Sequence, residues 1–96
     1  MTESAKKLKE WRERLEGKRK AIGNHGVVKK KTLQNLKVLL EKISNSNAAD
    51  DFLRRGAKGL CTMVDNYLNE TKEVDFNDVA ARLDGMVRHI DEMLNA

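Results

Sequence analysis

Leu8, Trp11, Leu15 and Ile22 fall at a, d, a and a of a heptad, with Lys18 at the vacant d position. This spacing predicts a helix over residues 4–22. Six opposite-charge pairs at i,i+4, from Glu3–Lys7 to Glu16–Lys20, support its surface. Gly23 and Asn24 suit a left-handed cap at its end. Leu33, Leu36, Leu40 and Ile43, widened by Leu39, predict a second helix over 31–44. Thr32 is its expected N-cap, with Lys29–Lys31 partly in the preceding loop. The small polar run Ser44–Asn47 ends it.

A third apolar face runs through Ala49, Phe52, Leu53, Gly56, Leu60, Met63, Val64 and Tyr67. It predicts a helix over 48–69, capped by Asn47 with Asp50 at N3. Gly56 lies inside the stripe, which reads either as close helix crossing or as a break at residues 54–59. The fourth helix, 76–95, has the strongest start: Asp75 to cap, Asp78 at N3, and Val74 with Val79 as a hydrophobic staple. Phe76, Val79, Ala80, Leu83, Met86, Val87, Ile90 and Leu94 line its face. Four helices with short connections predict an all-α fold, a compact antiparallel four-helix bundle forming a single helical domain over 1–96.

Composition agrees. Proline is absent and only Trp11, Phe52, Tyr67 and Phe76 are aromatic, all on apolar stripes, while 40% of residues are hydrophobic. The lone Cys61 allows no internal disulfide. No apolar run nears the ~18 residues of a membrane span, and the start lacks an apolar leader core. The expected location is cytoplasmic, with no membrane partner.

Charge changes the picture more. The net charge of +4 conceals an asymmetry: residues 1–47 hold 13 basic and 5 acidic side chains, residues 48–96 hold 6 and 10. A basic half can dock an acidic partner or its own other half.

Catalytic chemistry finds little footing. His25, His89 and Cys61 are too scattered for a metal site, and no nucleophile–base–orienter set can be assembled. Cys61 borders an apolar face and reads as a buried, inert thiol; His25 and His89 read as ordinary surface or boundary histidines. The pairs Asp50/Asp51 and Asp91/Glu92 suit a helix start and an exposed face. A protein that is not an enzyme is expected, with no cofactor, metal or small-molecule substrate.

The segment from Gly17 to Lys37 carries seven cations and no acid. Lys18, Arg19 and Lys20 complement the end of helix one, but Lys29, Lys30 and Lys31 oppose the dipole at the start of helix two. With Gln34, Asn35 and Lys37 they form a candidate surface for nucleic acid or an acidic partner. Nucleic-acid binding is weakened by the scarcity of exposed aromatics and by acids at the start of helix three. The alternative destination for these cations is helix four, through Asp84, Asp91 and Glu92, within the chain or from a copy. The leading expectation is a regulatory or interaction protein acting through protein–protein contacts. Self-association as a homodimer through helices three and four is part of it, with nucleic-acid binding by residues 18–37 as the alternative.

Overall fold

Four helices form where the apolar spacing places them: α1 (Glu3–Ile22), α2 (Lys30–Ser44), α3 (Asp51–Leu68) and α4 (Phe76–Leu94). The computed structural model describes residues 2–22, 28–69 and 73–96. The expected Gly23–Asn24 cap and His25 lie outside the described residues.

Adjacent helices run antiparallel around a square. On the α1–α4 edge Arg12 meets Asp91 and Arg19 meets Asp84, so seven residues forward on one helix match seven back on the other. On the α2–α3 edge Lys37 meets Asp65. Across α3–α4, Phe52 lies against His89 and Tyr67 against Phe76, again in reverse order. The diagonal pairs α1/α3 and α2/α4 make no close approach, and α2–α3 and α1–α4 are the tightest edges. The result is an elongated bundle of 40 × 24 × 19 Å.

One core serves all four helices. Leu15, Leu36, Leu40, Leu53, Leu60, Leu83 and Ile90 are each fully enclosed in it. Burial of each such side chain contributes about 1.5–3 kcal/mol against the entropy of ordering the chain. Among the described residues no polar or charged residue is buried, so the core imposes no polar pairing.

Three local expectations are corrected. α3 begins at Asp51, not 48, and its cap is Asp50, whose Oδ1 accepts from the Leu53 N–H at 2.8 Å. The residues before it are held in turns, with Ala49 N–H on the Ser46 carbonyl at 3.4 Å and Ala49 itself buried. Burying Ala49 there takes 48–50 out of the helix, and the Asp50 carboxylate supplies an acceptor the Leu53 amide needs. α2 begins at Lys30, one residue before the expected start, and its cap position falls to Lys29, not Thr32, with no side-chain hydrogen bond. Phe52, expected in the core, is 61% exposed at the flank of the buried Leu53–Ala57–Leu60–Val64 stripe.

α3 runs unbroken through Gly56. A β-carbon there would meet Met86 Cγ at 3.8 Å, an ordinary contact, so close crossing does not demand glycine either. The start of α4 is as expected: the Asp75 carboxylate accepts from Asn77 N–H at 2.9 Å.

Candidate interaction surface

The bundle sorts the nine candidate residues onto different edges. Arg19 turns to α4, where its Nε donates to both Asp84 oxygens at 3.1 and 3.2 Å. Lys37 turns to α3 and donates to Asp65 at 2.6 Å. That hydrogen bond raises the Lys37 pKa above its ordinary value, against partial burial, which lowers it. A raised lysine pKa stabilises the fold at neutral pH, and that contribution is lost only as alkali deprotonates the folded ammonium. Asp91 is held by Arg12, which also bonds Glu16 at 3.0 Å. The bond to Asp91 raises the Arg12 pKa further. Asp84 and Asp91 thus do neutralise cations of the first helix, but take only Arg19 from the candidate set.

The others keep their charge free. Lys18, Lys20, Lys29, Lys30 and Lys31 form no ion pair among the described residues. Lys18 and Lys30 lie in different depressions. Lys30, Gln34 and Lys37 line a depression toward α3 that also holds the acids Glu41 and Asp65. Lys18 and Asn35 face each other across the α1–α2 edge.

Depressions of about 500 and 460 Å³ lie on the α1–α4 and α2–α3 edges, where ion pairs bridge the helices; the α1–α2 edge is hollowed without such a bridge among the described residues. Two depressions of about 520 and 420 Å³ share Arg14, Leu39 and Lys42 and make one groove between α1 and α2. The α1 wall presents Lys7, Glu10, Arg14, Lys18 and Ala21, at i, i+3, i+7, i+11 and i+14. The opposite wall presents Thr32, Asn35, Val38 and Lys42 of α2, and Ser46 just beyond its end, in the antiparallel sense. Trp11 and Leu39 form a buried apolar floor, while Val38 stands half exposed. Glu10 is the one acid lining the groove among the described residues, and it is occupied by Arg14 at 2.8 Å. Lys7, Lys18 and Lys42 are unpaired among the described residues, and no ion pair there joins α1 to α2.

The charge asymmetry along the chain therefore becomes an asymmetry across the bundle. α1 and α2 carry 12 basic and 5 acidic side chains; α3 and α4, on the opposite edge, carry 5 and 6. Ion pairs on the tight α1–α4 and α2–α3 edges consume cations there and leave the α1–α2 edge positive. Lys7 and Lys42 belong to this face although they lie outside the 18–37 segment. Sequence reasoning missed them because only the antiparallel register of the two helices brings them together.

The start of α2 carries a local cost. Lys30 and Lys31 occupy a first turn with no acid, behind a cap position without a capping side chain. Cations there oppose the helix dipole by about 0.3–1 kcal/mol each at low salt. Lys29→Asp, which supplies a cap and removes a cation, should raise the unfolding free energy by about 1 kcal/mol and Tm by roughly 4–8 °C. Urea denaturation checks this; an unchanged or lower midpoint would mean that α2 does not start at Lys30.

A second cluster lies on the α3–α4 edge. His89 shares a 2.7 Å hydrogen bond with Asp50 Oδ2, and its ring lies 4.3 Å from that of exposed Phe52. Burial by itself would push the Asp50 pKa up. The bonds from Leu53 N–H and His89 and the nearby charges of His89 and Arg54 outweigh it, so the carboxyl is held below its usual range. Cys61 is half-buried rather than enclosed, its Sγ 4.0 Å from the Lys37 carbonyl. Desolvation, with Glu41 nearby, pushes its thiol pKa up, away from the thiolate that reactivity requires.

No described helix is long and apolar enough to cross a membrane. The sequence matches no protein-family model, and neither a curated protein nor a solved structure matches it.

Proposed function

We propose that this protein is a non-enzymatic interaction module whose α1–α2 edge engages an acidic partner protein. The observation that carries the reading is the groove itself, an apolar floor between two walls whose unpaired charges are all positive. Apolar contact and opposite charge together favour a polypeptide surface; a phosphate backbone would draw on the lysines alone. Self-association belongs to the same reading, placed on the α3–α4 edge, where Phe52 is the large exposed aromatic.

Nucleic-acid binding is the second reading. It is favoured by the exposed, unpaired Lys29–Lys31 run and by the basic excess of α1 and α2, 12 basic against 5 acidic side chains. The two separate in one experiment. Fluorescence anisotropy compares labelled poly-L-glutamate with a short DNA duplex at about 0.05 and 0.2 M salt. Replacement of Lys7, Lys18 and Lys42 together by glutamine should weaken polyglutamate binding roughly tenfold, since each exposed pair contributes up to about 1 kcal/mol. Replacement of Lys29 and Lys30, which line no part of the groove, should leave it nearly unchanged. Duplex binding without polyglutamate binding, abolished by the second set of replacements, would transfer the function to nucleic acid.

A further inference from the structure

We infer that the α1–α2 groove receives an acidic amphipathic helix of a partner protein. This deepens the interaction reading and rests on it.

Length comes first. Lys7 to Ala21 covers fifteen residues of α1, fourteen rises or about 21 Å at 1.5 Å each, so the groove matches some four turns of an incoming helix. Its cross-section follows from the helix walls. Both contribute residues at three- and four-residue spacing, leaving the linear trough in which anchors at i, i+3, i+4 and i+7 seat. Leu39 lines both depressions, of about 520 and 420 Å³, and Trp11 the second, so the apolar floor runs along the trough.

Charge selects among amphipathic helices. Lys7, Lys18 and Lys42 stand unpaired on both rims among the described residues, and Glu10 is neutralised by Arg14. A helix with glutamates or aspartates flanking its apolar stripe meets opposite charge on both sides; a basic one meets repulsion. A second copy of this chain fits poorly. Its acidic helix, α4, keeps Val79, Leu83, Met86 and Ile90 buried in its own core.

Gly17 provides a clean probe. It is exposed in the groove wall, and a β-carbon added there would meet nothing within 4 Å. Gly17→Leu therefore projects a side chain into the groove, favours the helix by propensity and leaves the core untouched.

The test uses the full chain and a synthetic helical peptide of about 18 residues, leucines at i, i+3, i+4 and i+7 and glutamates between them. A scrambled peptide of the same composition and a DNA duplex are the other ligands. The expected result is binding of the patterned peptide about tenfold tighter than the scrambled one, weakened about tenfold by Gly17→Leu with folding stability equal to or above wild type. Equal binding of both peptides, or indifference to Gly17→Leu, would overturn the helix-in-groove inference while leaving a charged protein-binding edge. Binding of the duplex and of neither peptide would overturn both.

Discussion

Leu40→Ala should lower the unfolding free energy by about 3–4 kcal/mol and Tm by roughly 15–25 °C. Leu40 is fully enclosed on α2, the helix that packs most closely on α3. Truncation removes transfer free energy and leaves a cavity between helices whose other apolar side chains are already seated. A domain of this size has about 5–15 kcal/mol to lose, so a large part of its stability would go. Val38 lies two residues away on the same helix and is half exposed, so Val38→Ala should cost within about 0.5 kcal/mol. Urea unfolding of the two variants checks the register of α2. Similar costs for both would mean that the helix is rotated from the position described.

Asp50→Ala is expected to have the second largest effect, about 1–2 kcal/mol from the lost cap, with His89 losing its partner as well. Asp50→Asn separates the two roles. Asparagine caps a helix nearly as well as aspartate but brings no charge to His89. The direction with pH follows from the folded carboxyl lying below its ordinary value. A depressed carboxyl pKa stabilises above the unfolded value, about 3.9, and that contribution disappears as pH falls through the folded one. The stability advantage of wild type over Asp50→Asn should thus be present at neutral pH and close below about pH 4. An advantage that persists undiminished in stronger acid would show that the Asp50 charge plays no part.

Helix existence and type were legible because Leu, Ile and Val recur at helical spacing with few interruptions. Asp75 was legible as a cap because the staple valines flank it. The start of α3 was not: Asn47 and Asp50 are both good caps, and the choice depended on burial of Ala49 and on His89, thirty-nine residues away. Phe52 shows the limit of periodicity. It sits within a broad apolar arc, yet only packing against α4 decides where the covered part of that arc ends.

The basic surface was legible in amount and not in place. Lysines at 29–31 stand out in sequence because they violate the helix dipole, whereas Lys7 and Lys42 are unremarkable until α1 and α2 lie side by side. Arg19 and Lys37 looked equivalent to their neighbours, but each reaches an acid on the adjoining helix. Sequence distance of 65 and 28 residues conceals those pairings.

The most direct test is an NMR titration of the isotope-labelled full chain with unlabelled poly-L-glutamate. Amide shifts should concentrate between Lys7 and Ala21 on α1 and from Thr32 on α2 to Ser46 just past its end, with α4 silent. Shifts centred on Lys29–Lys31 alone, or spread evenly over all four helices, would contradict a working face at the α1–α2 groove.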